Sequence, residues 1–297
     1  MTATSDFARA IADEGLGDPM IIPDGRLHRY RGPGDKPGAK NCWYVFHESG
    51  TTPAGAFGSW RLGFTQTWSS KGKDRMTPAD RANVRRLVES AKRQREQEQA
   101  ARHARAAQTV RMVWPACSPA PADHPYLLAK GITPHCARLD GLGSLVIPVG
   151  DWATITSMQF IRPDGGKRFL SGGRIYGCFC LLPGTKPAPI LICEGFATGA
   201  TLVEQTGSTC VVAFNAGNLL PVAKAVRAQH PKADIIVCGD NDAWTEGNPG
   251  ATKARAAALE IGAQLLLPDF TGLDLSEKPT DFNDLARLRN ASARRAA

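Results

Sequence analysis

From Ile190 onward the chain alternates short apolar runs with helical stretches, and this alternation limits the fold more than any other feature. Ile190 to Cys193, Cys210 to Phe214, Asp234 to Cys238 and Gln264 to Leu267 read as strands. Helices running to Gln205, from Leu219 to His230 and from Ala251 to Ile261 read between them. Apolar strands about 20 to 30 residues apart, each followed by a helix, describe a parallel sheet covered on both faces. Ligands of such sheets gather beyond the carboxyl ends of the strands. There each run hands over to a polar residue: Glu194, Asn215, Asp240 with Asp242, and Asp269.

If those strands are adjacent, Glu194, Asp240 and Asp242 meet on one rim. Carboxylates held together repel unless a cation lies among them, and hard oxygen ligands select Mg²⁺ or Mn²⁺. Asp240-Asn241-Asp242 has the period of two that turns both carboxylates the same way along an extended chain. A single Asp at a strand end is more often a helix cap or turn residue. Glu194-Gly195 and the Asp-x-Asp at successive strand ends together favour a cation site.

Upstream, Leu145 to Val149, Ala153 to Ile161 and Arg168 to Leu170 are extended segments joined by tight turns. Before them lies a basic stretch. Lys71 to Arg111 holds twelve Lys/Arg against five Asp/Glu, nearly all of the chain's net charge of +8. Thr77-Pro78-Ala79-Asp80 offers a cap hydroxyl, a proline at the first helical position and a first-turn carboxylate. A helix of about 33 residues is predicted from there toward Pro115. Val84, Leu87, Val88 and Ala91 form a short apolar stripe that should dock, while the polar turns from Lys92 to Arg105 should stand in solvent. The excess charge suits either a polyanion partner or a solvated helix face.

The first seventy-five residues open on a predicted helix, Phe7 to Leu16, and continue with short strands around Arg26 to Arg31, Asn41 to His47, Ala54 to Arg61 and Leu62 to Trp68. Arg29, Arg31, Trp43, Trp60 and Arg61 interleave cations with rings, as single-stranded nucleic acid requires, although the same rings serve equally as the core of a small sheet. The division expected is residues 1–75 as a small β-rich nucleic-acid-binding module, 76–111 as a helical spacer, 112–189 as a strand-rich subdomain and 190–297 as the parallel-sheet domain.

Several classes are excluded. No C-x-x-C occurs among the eight cysteines, so no zinc site is expected; Cys178 and Cys180 read as structural thiols. G-x-x-x-x-G-K-[ST] is nowhere satisfied, which removes a Walker-type motor. No apolar run reaches membrane-spanning length and the first residues lack a leader pattern, so a cytoplasmic location without membrane contact is expected.

The motifs I-L-I-C-E-G-F-A-T-G-A, with Glu194-Gly195, and I-I-V-C-G-D-N-D, with Asp240 and Asp242, resemble the TOPRIM domain of bacterial-type primases, topoisomerases and some nucleases. Lys167-Arg168-Phe169-Leu170-Ser171 and Gly173-Arg174-Ile175-Tyr176-Gly177 resemble the subdomain that precedes TOPRIM in the primases. V-A-F-N-A-G-N-L, T-D-F-N-D-L and D-G-R-L-H-R-Y look most like the primases of plasmids and phages. The resemblance implies an α/β TOPRIM fold and a DNA primase acting on a single-stranded template with NTPs and Mg²⁺ or Mn²⁺, alongside a replicative helicase on another chain. It implies that Glu194 serves acid–base or metal duty, that Asp240 and Asp242 hold metal, and that Lys167, Arg168 and Arg174 meet template or nucleotide phosphates. Lys253 follows a loop, Ala243 to Pro249, longer than the family's usual turn, and is the weakest of these matches. The competing readings are a TOPRIM endonuclease, using the same carboxylates with water, and a non-catalytic single-strand-binding accessory.

Overall fold

The opening helix, α1 (Ala3–Asp13), starts earlier than its apolar pattern predicts because Thr2 and Ser5 cap it reciprocally. Phe7 and Ile11, one turn apart, are fully buried. They cover a four-stranded antiparallel meander of β1 (His28–Tyr30), β2 (Cys42–His47), β3 (Ala54–Ser59) and β4 (Phe64–Ser69). In this computed structural model, which describes residues 2–48, 52–71 and 75–296, the ring of Phe7 stacks on Phe46 at 4.6 Å and meets Trp68 and Phe57 edge-on at 5.4 and 5.7 Å. Gly55 makes that approach possible, since a Cβ there would stand 2.9 Å from the ring. Phe7→Ala is expected to lower stability by about 3–5 kcal/mol, read as an early transition of residues 1–101 in denaturant.

The other face of the meander presents the small residues Ala54 and Ala56, and Leu87 and Val88 of α2 (Pro78–Ala116) lie over it. Thr77 and Asp80 close the start of α2 by exchanging backbone bonds, Asp80 N–H to Thr77 Oγ1 at 3.2 Å and Thr77 N–H to Asp80 Oδ2 at 3.1 Å. Thr52 and Lys71 also donate to Asp80, and these bonds hold its carboxyl well below the usual range. The helix runs 39 residues, through Pro115 and past the predicted end. The reason is tertiary: Val110, with Val113 and Trp114, packs on Val146, Met158 and Phe160, so contact carries the last turn over a residue that local propensity disfavours.

The chain divides into two units, residues 1–101 and 102–297, and α2 contributes to each. In the second, β5 (Ser118–Pro119), α3 (Pro125–Lys130), β6 (Arg138–Leu139), β7 (Leu145–Gly150), β8 (Ile155–Ile161) and β9 (Lys167–Phe169) build an antiparallel sheet in chain order. There follow β10 (Cys180–Leu182), β11 (Lys186–Cys193), α4 (Phe196–Thr206), β12 (Ser208–Val212), α5 (Leu219–Gln229), β13 (Ile235–Cys238), α6 (Pro249–Glu260), β14 (Gln264–Leu266) and α7 (Phe282–Ala296). Their sheet has the order β10-β12-β11-β13-β14 and is parallel except at β10. Alternate residues of β11 serve opposite faces. Leu191 and Cys193 pack with Phe196 and Ala200 of α4 and Phe282 of α7, whereas Ile190 and Ile192 pack with Val222 of α5 and Ala254 of α6. Both faces are thereby covered, as the apolar runs require. All eight thiols are unpaired, and seven are buried.

Candidate active site

The central strand β11 lies between β12 and β13, with Cys193 in register with Cys238. Chain continuation therefore delivers Glu194 beside Gly239 and Asp240 at the carboxyl rim. One carboxylate oxygen of each, Glu194 Oε1 and Asp240 Oδ1, is buried without a hydrogen-bond partner. Burial pushes the Glu194 carboxyl up to about 7, and the charges of Asp242 and Asp281 add to the effect. Asp240 is pushed up to about 8 by burial first, then by Glu194, Asp281 and Asp242. Each carboxyl thus raises the cost of ionising its neighbours.

Asp242 takes a different posture from the one its spacing predicts. Its Oδ2 accepts the Gly250 N–H at 3.0 Å, and a Cβ on Gly250 would stand 2.8 Å from that oxygen. The loop after Asp240 turns instead of continuing extended, so Asp242 is drawn to a first-turn amide of α6, whose cap is Asn248, and contributes charge to the rim from there. Among the described residues no three His, Cys, Asp or Glu side chains are grouped to hold a metal ion, and the expected ready-made cluster of Glu194, Asp240 and Asp242 is not formed. The residues nevertheless fit a hard divalent cation: two orphaned carboxylate oxygens are what Mg²⁺, which keeps most of its waters, takes from a protein.

Asp281 is the rim residue that sequence reasoning missed. The Asn241 N–H donates to the Thr280 carbonyl at 2.7 Å, stitching the chain before α7 to the end of β13. Asp281 Oδ1 accepts the Asp284 N–H at 2.8 Å, and the Thr198 hydroxyl of α4 also donates to this carboxylate. Burial raises its pKa all the same. The only signal was T-D-F-N-D-L, in which Asp281 has the look of a helix cap, and it is one.

The cations are sorted unequally. Loss of water around the Lys167 ammonium and the neighbouring Lys130 lower its pKa, while Asp281 and Asp240 pull the other way; it lies 5.7 Å from the centre of the Tyr126 ring. β9 thus carries Lys167 to the rim. Arg168, next along the strand, lies over Phe160 at 4.2 Å, and Phe169 meets Phe214 edge-on at 5.8 Å, tying β9 to the end of β12. Arg174 is paired with Asp151. Lys253 is exposed on α6. Asn218, within V-A-F-N-A-G-N-L, is a clamp: its amide donates to the carbonyls of Ile175, Cys178 and Ala213, and its oxygen accepts the Gly177 N–H.

In the first unit the interleaved set separates by role. Trp43 is 1% exposed and belongs to the core, whereas Trp60 is 43% exposed. Arg29 lies over the Trp60 ring at 4.3 Å. Arg61 Nε donates to Asp35 Oδ1 at 3.1 Å and Arg31 Nε to the Asp35 carbonyl at 3.3 Å. The buried Asp35 carboxyl also accepts from Asn41 and Gly32, and these bonds, Asn41's first, hold its pKa down to about 2. Arg61→Ala is accordingly expected to loosen the Gly32–Asn41 loop and lower the melting temperature. Trp60→Ala, which removes a ring packed on Trp43 at 5.8 Å, should lower melting too but weaken single-strand binding far more. A single-strand binding assay beside thermal melts separates the two.

Residues 189–292 match the family described as the Toprim domain. This part of the chain is a Toprim domain. Two Escherichia coli proteins, both named DNA primase TraC, are 35% identical to the chain over 289 and 290 residues. Each alignment covers 91% of this chain but only 27% and 20% of those proteins, so the chain spans about a quarter of the length of its relatives. The primase fragment of the bacteriophage T7 primase-helicase protein overlaps 57% of this chain and 69% of its own at 16% identity and a TM-score of 0.39, too slight a likeness to bear on the site. The alignments to the TraC proteins extend well beyond the Toprim domain itself, through most of the segments before it.

Proposed function

We propose that this chain is the primer-synthesising part of a DNA primase of plasmid or phage type, acting on single-stranded DNA with NTPs and Mg²⁺ or Mn²⁺. The observation that carries this reading is the pair of orphaned buried oxygens, Glu194 Oε1 and Asp240 Oδ1, at the carboxyl rim, with Lys167 close enough to feel the charges of Asp281 and Asp240. Likeness to the TraC proteins supports the choice of primase among Toprim activities. A replicative helicase on another chain and a cytoplasmic setting belong to the same proposal; among the described residues no helix is long and apolar enough to cross a membrane.

Primer synthesis joins nucleotides by attack of a 3′-oxygen on an α-phosphorus, with pyrophosphate leaving. A divalent ion bound there supplies charge stabilisation for the attacking and leaving oxygens. Glu194 and Asp240 would hold it, with Asp242 and Asp281 adding negative charge behind them. Lys167 would meet triphosphate oxygens, and Arg168 would flank them or the template. If Asp240 alone held the ion, Glu194 would instead be placed to accept the proton of the 3′-hydroxyl. Arg174, committed to Asp151, would orient the turn beside the site, and Lys253 would be a peripheral phosphate contact.

The purified chain with single-stranded DNA, labelled NTPs and Mg²⁺ should yield short labelled oligomers. Shortened template would indicate a nuclease, and a mobility shift without product a binding module. Lys167→Ala should raise the NTP concentration for half-maximal synthesis about tenfold or more, while stability stays within about 0.5 kcal/mol, as for an exposed side chain. An unchanged half-maximal concentration would assign Lys167 to solvent.

A further inference from the structure

Beside the carboxylate rim lies a cleft of about 350 Å³ to which the proposed chemistry assigns no role. Its walls include Asn241, Trp244, Asp269, Phe270, Leu275 and Pro279. The volume is at the small end of pockets that take organic ligands. Trp244 belongs to the long loop between Asp242 and α6. The residue is 47% exposed, yet the orientation of its ring is fixed, because Nε1–H donates to the Pro279 carbonyl at 3.2 Å. An exposed indole pinned by its only donor offers a flat face for stacking.

The polar lining narrows the ligand. Neither Lys nor Arg is among the lining residues, so the cleft does not attract phosphate. Its one carboxylate, Asp269, is held below the usual range by the Thr271 hydroxyl and N–H, which both donate to Oδ1 at 2.6 and 2.9 Å, with the charge of Arg289 assisting. A carboxylate that stays ionised is an acceptor and selects a donor. Asn241 connects cleft to rim, since it stands between Asp240 and Asp242 in the chain.

We infer that the cleft is a nucleobase subsite, in which a base carrying an exocyclic amino group stacks on Trp244 and donates to Asp269. This rests on the nucleotidyl-transfer reading for its purpose, but not for its test. The base belongs either to an incoming nucleotide or to the template, both of which must pass the rim.

Free nucleosides isolate the cleft from phosphate chemistry. With the full chain and no metal, adenosine and cytidine should show saturation transfer in ligand-observed NMR, and uridine much less. Trp244→Ala should abolish the signal and Trp244→Phe should keep most of it. Asp269→Asn, a surface change that leaves the stacking face intact, should erase the preference over uridine. In the synthesis assay Trp244→Ala should then raise either the KM for ATP or the template requirement by about 5- to 150-fold, the range of one lost base–aromatic stack; which one moves identifies the source of the base. Adenosine binding unaffected by Trp244→Ala, or equal binding of uridine and adenosine, overturns the subsite. A chain that binds adenosine through Trp244 but makes no oligomers overturns the primase reading and leaves the subsite standing.

Discussion

Asp240→Asn is expected to abolish primer synthesis and at the same time to make the metal-free protein more stable at pH 8. The Asp240 carboxyl rises from 3.8 to about 8 on folding, chiefly through burial. A group whose folded pKa is raised contributes stability while protonated, fully below its unfolded pKa, and loses it as pH climbs to the folded value. Between about pH 4 and 8 the unfolding free energy of the metal-free chain should therefore fall, by an amount on the order of a few kcal/mol. The asparagine variant should show a much flatter profile, with the residual slope due to Glu194 and Asp281. Addition of Mg²⁺ at pH 8 should raise the melting temperature of the unchanged chain and leave that of the variant where it was. Urea titrations at four pH values, with and without metal, measure all of this; a variant with full activity would remove Asp240 from the site.

The second large effect concerns where the chain can be cut. A fragment beginning at Met112 discards Ala106 and Val110, both buried, and leaves Val146 and Met158 facing water where α2 lay. It should be less stable than a fragment beginning at Arg102 by about 2–4 kcal/mol, as for other lost aliphatic contacts. The 102–297 fragment is expected to fold and to synthesise slowly at high template concentration, while losing the tight, steeply salt-dependent single-strand binding that residues 1–101 would add by tethering. Denaturation curves of the two fragments, followed by template titrations of the stable one, test boundary and division of labour separately. Normal template affinity with no turnover would move catalytic residues into the first unit.

Much of this architecture was legible because burial on both sheet faces leaves continuous apolar runs with helices between, and these marked β13 and β14 to within a residue, β12 two residues late and only the second half of β11, whose first half carries Lys186 and two prolines. The alternation of Cys178 and Cys180 with Phe179 reads as extended, and β10 does run from Cys180 to Leu182 with the same period of two; its antiparallel pairing with β12 is long-range and has no local signal. Glu194 and Asp240 could be located as strand-end acids. That Asp242 turns to the Gly250 amide in the first turn of α6 could not, because the turn between them depends on the close pass of Gly250. Asp281 was hidden for a related reason: a helix-cap aspartate and a rim aspartate have the same local sequence, and only the bond from Asn241 to Thr280 brings the cap to the rim. Trp43 and Trp60 look alike in sequence, and which of two packed rings is buried and which faces water depends on the sheet around them, which leaves no local signal.

The parallel arrangement of the second sheet also has a temporal consequence. Its three rim acids arrive on the end of β11, the end of β13 and the cap of α7, and parallel neighbours cannot be closed by a hairpin. During synthesis on the ribosome, Glu194 and Asp240 can meet once β13 has paired with β11, whereas Asp281 joins them only when the start of α7 has emerged. The third charge is therefore added only after the strands that bury the first two are available to pair, and the ordering of the chain postpones this least favourable contact.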